Sequence, residues 1–211
     1  MAIISVKMTK RHKGKELEAG IYGYITFKVT DHGRVIFRRK RQMHSLTGLW
    51  LLDMGNAWSR IAYTLTAYSP NSFVVNTSAS PSACTEGFFI VASSPYVGIV
   101  VGTGQKTKAP NDFTLASPVT SSSTGLSYGE LSMSSPTVSG NTSTLSMSRV
   151  FTNMSSSPIT LTEAAIVVYA SAVGSTSPDF DVALAYDYIS PSITLSEGQN
   201  LTITYQMQVT M

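Results

Sequence analysis

The chain has 211 residues, of which 43% are apolar and only 13% charged, so it carries enough side chain to fill a core and is not a disordered polyelectrolyte. Its net charge of +3 conceals an asymmetry: twelve of the 15 Lys and Arg residues fall in the first 60 positions against four acids, leaving +8 there and −5 in the remainder. Such polarity suits one end to a polyanion and the other to water or to copies of itself, and a single cysteine, Cys84, excludes a disulfide framework and a sulfur-rich metal site.

The first 60 residues read as a unit of their own, made of a basic arm, a hairpin and one short helix. The apolar run Ala2 to Val6 is too short, and precedes rather than follows the basic stretch, so no secretory signal is expected. Lys10, Arg11, Lys13 and Lys15 make up the arm. Ile21, Gly23, Ile25, Phe27 and Val29 then alternate with Tyr22, Tyr24, Thr26 and Lys28, the period of a strand with one buried face. Asp31-His32-Gly33 predicts a three-residue turn, and Val35 to Phe37 the returning strand. In Arg38-Arg39-Lys40-Arg41 the same alternation puts cations on both faces, so this strand is expected to leave the sheet there. Ser45 is placed to cap a short helix carrying Leu46, Leu49, Trp50, Met54 and Ala57.

Residues 61–211 carry all nine prolines and read as strands cut by turns. Strands are expected at 61 to 68, 72 to 77, 86 to 92, 96 to 102, 126 to 134, 143 to 152, 159 to 170, 181 to 189 and 200 to 210. The clearest is the last, where Leu201, Ile203, Tyr205, Met207 and Val209 alternate with Thr202, Thr204, Gln206, Gln208 and Thr210. Ser196-Glu197-Gly198-Gln199 is expected to close a hairpin between it and Ile193-Thr194-Leu195. The stretch Gly87 to Val101 is interrupted by Ser93, Ser94, Pro95 and Gly98, falls short of a membrane span, and reads as two buried strands. The fold class that follows is mainly β: an antiparallel β-sandwich of jelly-roll or Greek-key type, with the basic hairpin and short helix before it.

A search for chemistry yields little. His12, His32 and His44 all lie in the basic segment, in no spacing that suits a metal or a triad, and the β-region offers no histidine to activate its many serines. Asp179, Asp181 and Asp187 are interleaved by apolar residues and read as a solvated turn rather than a calcium loop. Gly102 to Lys108 lacks the spacing of a phosphate-cradling loop. Asn76, Asn141, Asn153 and Asn200 precede X-Ser/Thr, a pattern that a chain this rich in hydroxyls produces by chance. No catalytic residue, cofactor or metal is therefore expected. The positive signal is cationic: Lys10, Arg11, Lys13 and Lys15 before the hairpin and Arg38, Arg39, Lys40 and Arg41 at its end are candidates for one phosphate-binding patch if folding brings them together. The competing expectation is contact with acids such as Asp179, Asp181 and Glu197 on neighbouring subunits.

Ile99-Val100-Val101-Gly102-Thr103-Gly104, Leu126-Ser127-Tyr128, Arg149-Val150-Phe151-Thr152-Asn153, Ile159-Thr160-Leu161-Thr162-Glu163, Ile193-Thr194-Leu195 and Leu201-Thr202-Ile203-Thr204-Tyr205 together resemble β-rich virion proteins of bacteriophages and archaeal viruses, over residues 97 to 210. The resemblance implies a structural, non-enzymatic role in a virus particle. In it the chain is a self-assembling capsid or vertex subunit, partnered by its own copies and other virion proteins, with the basic segment facing packaged nucleic acid. A tail-fibre or baseplate component that binds a host receptor is the alternative within particles. A non-specific nucleic-acid-binding protein is the alternative outside them, and a hydrolase of surface polysaccharide comes last.

Overall fold

The computed structural model describes residues 8–12, 15–43, 63–66, 72–75, 88–89, 97–105, 115–170 and 180–210. Among them every regular element is a strand: β1 (Met8–His12), β2 (Lys15–Asp31), β3 (Arg34–Gln42), β4 (Tyr63–Thr66), β5 (Ser72–Val75), β6 (Phe88–Phe89), β7 (Gly98–Gly102), β8 (Leu126–Tyr128), β9 (Ser132–Met133), β10 (Thr137–Ser139), β11 (Thr142–Asn153), β12 (Ile159–Ala170), β13 (Phe180–Leu195) and β14 (Asn200–Thr210). All the pairings are antiparallel. The helix expected from Ser45, and Cys84, lie outside the described residues.

Two sheets share one core. In the larger, β2, β14 and β11 lie side by side, β1 and β3 pair with β2, and β8, β9 and β10 pair with β11; in the smaller, β12 lies between β13 and the strands β6 and β7. The odd-numbered residues that the sequence marks as apolar form the inner face of the larger sheet: Ile25, Phe27 and Val29 on β2, Leu201, Ile203 and Tyr205 on β14, Met147 and Phe151 on β11. They meet Leu161, Ala164, Ile166 and Val168 of β12 and Ala185, Ile189, Ile193 and Leu195 of β13. The smaller sheet also buries its outer face, where Ala165, Val167 and Tyr186 pack with Val97, Val100 and Leu115. This is why β12 reads as a nearly continuous apolar run while β14 alternates.

Four expectations are corrected. The turn between β2 and β3 has two residues, not three: Asp31 pairs with Arg34, and His32 (φ 45°) and Gly33 (φ 80°) both take the left-handed conformation that matches strand twist. β3 stays in the sheet through the basic run, its ladder to β2 ending at Tyr24↔Gln42. The single strand expected at 126 to 134 is two short ones, followed by a third, β10, all along the free edge of β11. Ser196-Glu197-Gly198-Gln199 closes no hairpin, because β13 pairs with β12 while β14 pairs with β11 and β2.

That last correction explains the topology. β11 with β14, and β12 with β13, form one long two-stranded ribbon folded over between Thr152↔Asn200 and Ile159↔Leu195, each half entering a different sheet. Asn153, fully buried, holds the fold-over: its Nδ2 donates to the carbonyls of Ser157 and Leu195 at 2.9 Å each, and its backbone pairs with Gly198 and Gln199. On the far limb, residues 189–192 bulge out opposite Thr162, which accommodates Pro191 inside β13.

The seams between the sheets are closed by arginines. Arg149, on the inward face of β11, is 1% exposed and donates through Nη1 to the carbonyls of Val97 (2.8 Å) and Ile99 (3.0 Å), beside and within the edge strand β7. A guanidinium brings several donors to carbonyls that an edge strand leaves without a ladder partner. Tyr128 works beside it: its hydroxyl donates to Val119 O at 2.6 Å, its ring meets Phe151 edge-on at 4.7 Å, and burial pushes its pKa up to about 12.

Candidate nucleic-acid interface

Pleating divides the basic run Arg38 to Arg41 of β3 into two pairs with different surroundings. Arg39 and Arg41 share the inward face. Arg39 donates through Nη1 to the carbonyl of Ser190, on the bulge of β13. The Arg41 guanidinium lies 3.8 Å from the fully buried carboxylate of Asp187 and 5.4 Å from the Phe27 ring, and its side chain is 12% exposed. Burial lowers the Arg41 pKa, and Asp187 opposes the shift. The phenol of Tyr205, beside Ile25 in the same cross-strand row, is pushed well above its ordinary pKa by burial and then by the Asp187 charge. These two arginines close the β3–β13 seam as Arg149 closes the one at β7, and so serve the chain itself.

Arg38 and Lys40 lie on the outer face, exposed. Arg38 pairs across the ladder with Lys28 of β2, and the Lys40 ammonium sits 4.6 Å from the centre of the Tyr24 ring. Residues two apart on a strand are about 6.8 Å apart and cross-strand neighbours about 5 Å. Lys28, Arg38 and Lys40 thus form a compact cationic triangle. Toward β14 and β11 the described face carries hydroxyls and amides: Thr26 and Tyr24 on β2 continue into Thr202, Thr204 and Gln206 on β14 and Ser146 and Ser148 on β11. Lys28 was not among the expected site residues, although its even-numbered parity in the alternation of β2 places it beside Arg38.

The two basic clusters are not brought together. Lys10 and Arg11 on β1 pair with Leu17 and Glu16, whereas Arg38 and Arg41 pair with Lys28 and Ile25. At about 3.3 Å per residue this separates them by roughly 25–40 Å along β2. β14 reaches only Gly20, so the β1–β2 end runs on past the last β14 pair as a two-stranded extension. Lys15 opens β2, opposite His12, and Lys13 lies outside the described residues.

The acids considered at the sequence level are placed elsewhere. Asp181 is on β13, Glu197 is in the exposed turn before β14, and Asp179 lies outside the described residues. Among the described residues no group of three or more His, Cys, Asp and Glu is placed to hold a metal ion, and no helix is long and apolar enough to cross a membrane.

Glu163 is a clasp. Its carboxylate is fully buried on the outer face of the smaller sheet, where Oε1 accepts from the N–H groups of Gly104 (3.2 Å) and Ser117 (2.8 Å). Oε2 accepts from Ala116 N–H (3.0 Å) and from the Tyr186 hydroxyl (2.6 Å), and burial followed by this bond pushes the Tyr186 pKa up. Thr162 adds a bond from its hydroxyl to Gly104 O at 2.6 Å. Gly102 is required here, since a Cβ would fall 2.3 Å from Glu163 Oε1. With these bonds made, the carboxylate is occupied in holding the segment after β7 to the segment around Ser117. Compared with protein-family models, curated proteins and solved structures, the chain finds no match.

Proposed function

We propose that the chain is a non-enzymatic structural subunit of a virus particle, a β-sandwich of jelly-roll or Greek-key type that self-associates in a capsid shell or vertex and turns a cationic face toward packaged nucleic acid. The folded ribbon of β11 to β14 supports the jelly-roll reading, because bending one antiparallel ribbon over a core distributes its strands between two facing sheets. The observation that carries self-association is the distribution of uncovered apolar side chains. At the fold-over end of the larger sheet Val35, Ile36 and Met154 are 51%, 52% and 52% exposed, and at the opposite end Val138 and Val209 are 75% and 42% exposed. Apolar groups at two opposite ends suit a repeating contact between neighbours, which closes into rings or shells when the rotation allows.

Sedimentation of the purified chain over a range of concentrations, with electron microscopy of the products, tests the assembly. Closed or regular oligomers that dissociate when Ile36 and Met154 are replaced by Ser are the expected result. A strictly monomeric mass at every concentration, and no contact between copies in a native particle, overturns the proposal.

A further inference from the structure

We infer that Lys28, Arg38 and Lys40, with Tyr24 beside them, form a site for single-stranded nucleic acid on the outer face of the larger sheet, and that Arg39 and Arg41 take no part in it. The site rests on the genome-contact reading given above and narrows it to named residues and to one form of polyanion.

Charge is the first ground. Three cations occupy adjoining positions of the outer ladder, about 5–7 Å apart across and along the strands, where the neighbouring β14 and β11 carry Thr, Ser and Gln and no acid among the outward residues named above. A phosphate chain therefore meets attraction without a competing carboxylate. The inward pair is unsuited to the task, since Arg39 is bonded to Ser190 O and Arg41 is held against Asp187.

Shape is the second. The site lies on a sheet face, and a duplex is a rigid, curved rod that touches such a face along a narrow line, so few of its phosphates reach so small a triangle. A flexible single strand can bring successive phosphates to all three cations. The adjoining Thr26, Thr202, Thr204 and Gln206 then face open base edges, for which hydroxyls and amides are both donors and acceptors. Tyr24 fixes the geometry by holding the Lys40 ammonium over its ring.

Three phosphate contacts give a salt slope of about −2 for a single strand, so they account for a fall in affinity of about 20-fold between 50 and 200 mM salt. The test is fluorescence anisotropy with a labelled oligothymidine and with a random duplex, on the full chain and two variants, Lys28→Gln/Arg38→Gln/Lys40→Gln and Lys10→Gln/Arg11→Gln/Lys15→Gln, each checked for native circular dichroism. The expected result is that the first variant binds oligothymidine at least tenfold more weakly at 50 mM salt and loses about two units of slope, while the second keeps most of the affinity. If the parent chain binds the oligonucleotide and the first variant binds it equally well, the site assignment is wrong and the genome-contact reading survives. Tighter binding of the duplex, with the same dependence on the triangle, overturns the single-strand specificity. No binding of either probe at low salt removes the genome-contact reading itself.

Discussion

Replacing Glu163 by Gln removes one charge and keeps the side-chain shape, so it isolates the clasp between the segment after β7 and the segment around Ser117. The carboxylate accepts four hydrogen bonds, three from backbone N–H groups and one from Tyr186. A Gln amide has one acceptor oxygen. If its nitrogen takes the place of Oε2, the Tyr186 hydroxyl can turn to accept, but the Ala116 N–H then faces another donor. One charge-assisted bond is lost, worth about 1.5–3 kcal/mol, and the bonds that remain fall to the neutral range near 1 kcal/mol each. The net loss is about 2–4 kcal/mol, a large part of the ~5–15 kcal/mol typical of a domain. Urea unfolding followed by circular dichroism measures it as a lower midpoint at unchanged slope. Hydrogen exchange should accelerate first at the amides of Gly104, Ala116 and Ser117. A loss under about 1 kcal/mol, or unchanged exchange at these three amides, would refute the clasp.

Other outcomes follow from the same geometry. Arg39→Gln/Arg41→Gln should lower stability by about 2–4 kcal/mol through the opened β3–β13 seam, whereas Arg38→Gln/Lys40→Gln should change it by less than about 1 kcal/mol; equal effects in thermal melts would contradict the division of the strand. Gly98 has φ +85°, and a Cβ there would lie 2.8 Å from Leu131 Cδ2, so Gly98→Ala should cost about 1–3 kcal/mol in urea titrations. The raised pKa values of Tyr128, Tyr186 and Tyr205 mean that the folded state favours the neutral phenols. Their contribution is complete below about pH 10, where unfolded tyrosine titrates, and declines as pH rises, for Tyr128 across pH 10 to about 12. Stability should therefore fall over that interval, and Tyr128→Phe should flatten the fall; a flat profile to pH 12 would oppose this. Asn153 should carry no glycan on folded protein from any host, as mass spectrometry of the Asn153 peptide would show, because its Nδ2 is already bonded to Ser157 and Leu195.

Strand positions were legible where one face is buried. The alternation of Leu201, Ile203 and Tyr205 and of Ile25, Phe27 and Val29 gave both strands and their inner faces, and the core contains these residues. Pairing partners were not legible. Ser196 to Gln199 has the chemistry of a tight turn, but whether such a turn joins two strands of one sheet or passes between sheets depends on β2 and β11, distant in sequence. The basic run misled for a related reason: two cations on an inward face argue against a strand until acceptors such as Ser190 O and Asp187 arrive from β13. Arg149 and Glu163 carry a signal in the sequence itself. Arg149 has the parity of Met147 and Phe151, and Glu163 stands directly before the apolar run Ala164 to Val168, both marks of a buried charge that must find partners.

The place of β14 has a consequence for how the chain reaches its native state. It lies between β2 and β11, and Thr30 pairs with Asn200, far apart in sequence. During synthesis β12 and β13 can pair early, but β11 waits for its ribbon partner β14, and Ile25, Phe27 and Val29 wait for the same strand as their inner-sheet partner. Until then a sticky edge is open on each of two strands, a hazard at the high local concentrations of a polysome. Completion of the larger sheet is thus linked to emergence of β14 from the ribosome, so a chain that stops short of β14 lacks the strand that joins the two halves of the sheet, and with it the surface on which the cations of β2 and β3 meet the hydroxyl face.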